Sequence, residues 1–192
     1  MKKQSLKGTL LVSTLLLVLI LGELHAQGFN SNWKTALNKT LSDFMACSSG
    51  GTEASSCYGF IGESVKTVYG VTDFYSSSGK QYMSVSEIHD FVKNNQSWKP
   101  LGRAYEPEAL EEAQKQANAK KAVIAVYMNE QGVGHVALIL PGELQVSGSW
   151  GVKVPNSASF LPSDPDKSYV GKTLSYAFPR NTLKDVWIYV RN

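Results

Sequence analysis

The chain has 192 residues, with 19 Lys and Arg against 16 Asp and Glu, three histidines and two cysteines. That length holds one domain with a substantial core. The histidines are scattered without zinc spacing, and Gly132-Val133-Gly134 lacks the rest of a phosphate-binding fingerprint, so neither a metal nor a cofactor is expected.

Lys2, Lys3 and Lys7 precede an apolar run from Leu10 to Leu21. A run of about a dozen residues has the length of a signal-peptide core and is short for a membrane span. With Leu24-His25-Ala26 as the cleavage site, residues 1–26 are a leader. Residues 27–192 then form the mature domain, exported to the periplasm or the exterior and not inserted in the membrane. An uncleaved anchor is the alternative. The formal charge of +3 falls to +1 once a leader holding three lysines and Glu23 is removed. A nearly neutral protein gives no electrostatic case for nucleic acid.

The mature chain opens with a helical stripe, Trp33, Ala36, Leu37, Leu41 and Phe44, predicting a helix over 33–46 capped by Ser31 or Asn32. Residues 48–56 are rich in serine and glycine and read as a flexible loop. In Ser55-Ser56-Cys57-Tyr58-Gly59-Phe60-Ile61 the serines suit an N-cap. Phe60, Ile61, Val65, Val68 and Tyr69 then recur at helical spacing until Gly70 stops the helix. Cys57 thus falls on a first turn, where unpaired N–H groups and the helix dipole favour a thiolate. Gly59 leaves room for another backbone.

Residues 70–83 show no period and read as a loop able to line a cleft. Ser84 and Glu87 form a candidate capping box for a helix over 85–95; His89 within it reads as a surface or core residue. Glu106-Pro107-Glu108 opens a helix to about Ala119. Ala122 to Tyr127, His135 to Leu140 and Leu144 to Ser149 follow as strands of an antiparallel meander, with turns at Asn129–Gly134 and Pro141-Gly142. A short strand near Leu174–Phe178 and a final one at Val186–Val190 complete the sheet. Helices first and a mostly antiparallel sheet after them make the chain α+β.

A cysteine on a helix and a histidine opening a strand can form a nucleophile–base pair. The thiolate of Cys57 attacks an amide carbonyl, His135 protonates the leaving amine, and backbone N–H groups beside Cys57 hold the oxyanion. A third polar group should orient the imidazole. On the strand after His135, Gln145, Ser147 and Ser149 share one face. Ser147 is the first choice, with Gln145, Ser149 and Asn156 as rivals. The competing reading of Cys57 is a disulfide to Cys47, natural in an exported protein. Cys47 lies at a helix end, where a thiolate is disfavoured.

The segment Ser55–Ile61 resembles the nucleophile helix of NlpC-like papain-fold cysteine peptidases. Gly134-His135-Val136-Ala137-Leu138-Ile139-Leu140-Pro141-Gly142 resembles their histidine strand, and that of the related cysteine-, histidine-dependent amidohydrolases (CHAP). The resemblance spans roughly Cys57 to Trp150. It implies a papain-like fold with the nucleophile helix packed on the sheet, and cleavage of amide bonds in peptidoglycan stem peptides by Cys57 and His135. The partner is then peptidoglycan or its peptide fragments, bound by a monomer. The chain departs from the family at Ser56, where relatives carry Asp or Asn, and at Ser147, where they carry His, Glu or Asn. These departures motivate a second reading, a papain-fold wall-binding protein without catalysis. A third is an unrelated secreted adhesin or inhibitor in which Trp98, Trp150 and Tyr82 stack on sugars or pack in the core.

Overall fold

A computed structural model describes residues 28–50 and 57–192; the expected leader at residues 1–26, and Ser55 and Ser56, lie outside them. Helix α1, Trp33–Ser49, buries Trp33, Leu37, Thr40 and Phe44, and α2, Phe60–Tyr69, buries Ile61, Val65, Val68 and Tyr69. Each stripe repeats at three to four residues, so one face of each helix is dry. Gly70 ends α2 in the left-handed region (φ 68°), with its N–H donating to the Lys66 carbonyl. A hairpin follows, β1 Tyr75–Ser76 with β2 Gln81–Tyr82, where the sequence reads as a loop.

Helix α3, Val85–Asn94, carries the full capping box of Ser84 and Glu87. Strand β3, Trp98–Arg103, was not expected, because Pro100 and Gly102 interrupt it. It is tolerated because β3 is an edge strand paired only with the last strand. Helix α4, Pro107–Asn118, starts with proline at its first turn. Then come β4 Val123–Met128, β5 Gly134–Ile139, β6 Gln145–Val146, β7 Lys153–Val154, β8 Asn156–Ser159, β9 Tyr169–Thr173 and β10 Val186–Arg191.

The main sheet has the order β3-β10-β4-β5-β8-β9 and every pairing in it is antiparallel. With four helices among the described residues, the protein is α+β. Strands β4 and β5 bury both faces. Ile124, Val126, Val136, Leu138 and Leu140 pack in one core with α1, α2 and α3. Val123, Ala125, Ala137 and Ile139 pack in a second core with α4. Alternation along a strand makes this division.

Two expected elements fall elsewhere. The strand beside β5 is β8, not the segment 144–149. That segment leaves the sheet as the β6–β7 hairpin, held by Ser147, whose hydroxyl accepts the Trp150 N–H at 3.2 Å. Trp150 is buried and donates its indole N–H to the Phe178 carbonyl. Gln114 ties β8 in place: its amide donates to the Leu140 carbonyl and accepts the Asn156 N–H. Near the C-terminus the strand is Tyr169–Thr173, and Leu174–Tyr176 is a 3-10 turn.

Cys47 and Cys57 form a disulfide, the alternative to the expected free thiol. Cys57 precedes α2 by a short turn, with Gly59 as the N-cap residue, and is not on the first helical turn. Gly59 is approached by the Tyr82 side chain, 3.1 Å from where a Cβ would stand, rather than by backbone.

At Gly70, a Cβ would stand 2.5 Å from the Gly28 Cα in addition to straining a positive φ. Gly70→Ala is therefore expected to destabilise the protein by about 1–3 kcal/mol, read as a lower urea midpoint with an unchanged slope.

Candidate functional site

At one end of the sheet lies a cavity of about 400 Å³, within the usual range for small-ligand sites. Its floor is the start of β5 and the exit of β8: Gly134, His135 and Val136, with Phe160 to Ser163. Its opposite wall is Cys57, Tyr58 and Ile61 from the turn into α2, with Ser84 to Ser86 at the start of α3. No carboxylate, lysine or arginine lines it among the described residues. The cavity therefore suits an uncharged, partly apolar group.

His135 is fixed by β8. The pairing of Ala137 with Ser159 sets Ser159 diagonally across from His135 on the same face of the sheet. The Ser159 hydroxyl meets Nε2 of the imidazole at 2.7 Å. The ring also rests on Phe178, with centroids 5.4 Å apart. Ser159 is buried, at 2% exposure. His135 keeps some surface at the cavity, yet its ring is surrounded by protein atoms, and this burial pushes its pKa down to about 4. At neutral pH the ring is neutral. With Nε2 engaged by Ser159, no hydrogen bond to Nδ1 occurs among the described residues.

Cys57 approaches from the other side. It is 1% exposed and belongs to the core shared by α1, α2 and α3. By alternation His135 falls with Ala137 and Ile139 on the α4 side of the sheet. Both residues line one cavity. The sulfur of Cys57 is bonded to Cys47, so in this state it holds no proton for a base to remove.

Ser147 is not brought to His135. It is buried in the β6–β7 hairpin, where its hydroxyl also bonds Ser149. Gln145 and Ser149 are exposed in the same hairpin, and Asn156 bonds the Pro141 carbonyl with its side chain. Ser159 lies on β8, a strand the sequence does not announce. The alternation in Asn156-Ser157-Ala158-Ser159-Phe160, with both serines on one face, is the signal that could have found it.

Trp98 and Trp150 are core residues; Trp98 stacks on Phe74 and donates to Asp73. Tyr82 remains near the surface, beside a second hollow lined by Tyr58, Glu63, Gln81 and Glu87. Among the described residues no cluster of His, Cys, Asp and Glu could hold a metal ion, and no helix is long and apolar enough to cross a membrane. No protein-family model matches the chain, and no curated protein matches its sequence.

The depressed pKa of His135 has a consequence for stability. Its folded value of about 4 lies below the ordinary 6.5, so between those values the unfolded chain binds more protons. This contribution is complete above pH 6.5 and is lost as pH falls toward 4. Urea midpoints measured at pH 7 and pH 4.5 should converge more strongly for His135→Gln than for the wild type.

Proposed function

We propose that the chain is an exported cysteine hydrolase of papain-like architecture that cleaves amide bonds in peptidoglycan stem peptides, as an amidase or endopeptidase. The observation that carries this reading is the cavity that Cys57 and His135 line together, with the imidazole held by Ser159. The resemblance of both segments to NlpC-like and CHAP enzymes supplies the substrate class.

In this reading the reduced Cys57 is the nucleophile. Its thiol passes its proton to His135, the resulting thiolate adds to the amide carbonyl, and the imidazolium returns that proton to the departing amine as the C–N bond breaks. Water then releases the acyl group, with His135 as base. Backbone N–H groups of the turn at Cys57–Gly59 hold the oxyanion. Ser159 is a positioning residue for the ring and takes the role first given to Ser147. Among the described residues no carboxylate, lysine or arginine lines the cavity, which fits a neutral backbone amide. Export through residues 1–26, to the periplasm or beyond, brings the protein to its substrate.

The test is hydrolysis of purified muropeptides by thiol-reduced protein, followed by mass spectrometry of the products. Cys57→Ala should abolish turnover while the reduced variant keeps the cooperative melt of the reduced wild type. His135→Ala should lose about 10²–10⁴ of the rate. Full activity of Cys57→Ala would overturn the proposal. Ser159→Ala should lower kcat and shift the acid limb of the pH profile, whereas Ser147→Ala should leave both unchanged.

A second reading is favoured by one specific observation, the Cys47–Cys57 bond. In it the cavity holds wall peptides without cleaving them. Calorimetric binding of muropeptides with no turnover by the reduced protein would select it.

A further inference from the structure

We infer that the Cys47–Cys57 bond is a reversible redox lock on the cavity, opened by a thiol that attacks at Cys47. The inference rests on the Cys57–His135 reading above and goes beyond it. Three observations carry it. The bonded sulfur belongs to a residue that lines the same cavity as His135, and a disulfide sulfur is no nucleophile. The two cysteines are unequally accessible: Cys57 is 1% exposed, while Cys47, at the end of α1, is only half-buried. Finally, the bond is not the sole tie between α1 and α2. Phe44 of α1 meets Phe60 of α2 edge-on at 5.3 Å and Phe160 at 5.5 Å, and Phe60 stacks on Phe160 at 6.3 Å. This aromatic cluster holds the cavity wall in place when the sulfurs part.

The accessibility difference gives the reaction a direction, because exchange proceeds at the sulfur the attacking thiolate can reach. An external thiolate, from a small thiol or a dithiol protein, forms a bond to the Cys47 sulfur. The Cys47–Cys57 bond breaks and its electron pair departs on Cys57, which becomes a thiolate in the cavity opposite His135. A second external thiol attacks the outer sulfur of the mixed disulfide. Cys47 leaves as a thiolate and takes a proton, and the two external thiols end as their own disulfide. Two electrons enter the protein with the two protons released by the external thiols, one taken by Cys47 and the other shared between the Cys57 sulfur and His135, and two thiols are oxidised. In an oxidising compartment the lock stays closed.

The experiment uses the mature chain purified without reductant. Iodoacetamide labelling of Cys57 at neutral pH is followed by mass spectrometry for three samples: oxidised wild type, wild type reduced and freed of excess thiol, and Cys47→Ser never exposed to thiol. Muropeptide hydrolysis and the thermal melt are recorded on the same samples. We expect no label and no hydrolysis in the oxidised protein. Reduced wild type and Cys47→Ser should both label at Cys57, roughly tenfold faster than Cys47→Ser/His135→Ala, as a thiolate of lowered pKa requires. Both should keep a cooperative melt. Labelling on this pattern without hydrolysis upholds the lock while the peptidoglycan reading fails. The lock is overturned if the purified protein carries free thiols, if reduced wild type and Cys47→Ser both lose their melt, or if the Cys57 rate ignores His135.

Discussion

Strand β5 is the constraint on which the rest depends. It is buried on both faces and paired on both edges, with β4 on one side and β8 on the other. A strand so placed cannot slip by one residue, because a slip would exchange its two faces. Val136 and Leu138 would then meet α4, and Ala137 would meet the three-helix core. The register that follows fixes His135 at the mouth of the sheet, sets Ser159 diagonally beside it and directs Tyr69 of α2 onto the Ile139 carbonyl at 2.7 Å. Burial raises the tyrosine's pKa, so its hydroxyl stays a donor. Fold and candidate site are two consequences of one register.

The parts of the fold governed by local rules were legible in the sequence. The stripe of α1, the capping box at Ser84, the proline start of α4, the left-handed stop at Gly70 and the apolar runs of β4, β5 and β10 depend on neighbours in sequence. The misread parts depend on distant partners. Strand β3 contains Pro100 and Gly102 and exists because β10 lies beside it. Segment 144–149 alternates like a strand, yet Trp150 has a buried seat near Phe178 and pulls the chain into a hairpin. The β8 segment is short and serine-rich, and it is a strand because Gln114 and β5 supply its partners. Because β8, not segment 144–149, lies beside β5, the hydroxyl at the His135 ring is that of Ser159 and not Ser147. The cysteines follow the same rule: helix-start chemistry describes a local preference for thiolate, while the bond to Cys47 is set by how α1 packs against α2.

Charge is arranged to keep the cavity plain. The described ion pairs lie elsewhere. Lys39–Asp43, Lys115–Glu112 and Lys167–Asp164 are exposed and local in sequence, and such pairs stabilise little. The long-range pair is Asp73, which accepts from both Arg191 and Trp98 and ties the end of β10 to the loop after α2. It fastens the chain terminus at a distance from the cavity residues. His135 bonds Ser159 and rests on Phe178. Desolvation decides its titration.

That last point bears on how the two halves of the candidate site relate. A thiolate opposite an imidazole would favour the charged ring and raise its pKa, and each charge would then stabilise the other. The disulfide removes the negative member of that pair, so burial alone acts on the ring and holds it neutral. In this structure the Cys57 sulfur is bonded to Cys47 of α1, and the His135 ring is held neutral by desolvation beside Ser159. In the proposed mechanism, opening the bond would change both at once. The Cys57 sulfur would gain a charge, the ring would acquire a reason to hold its proton, and the hydroxyl of Ser159, already at Nε2, would keep the imidazole in one orientation while its charge changed.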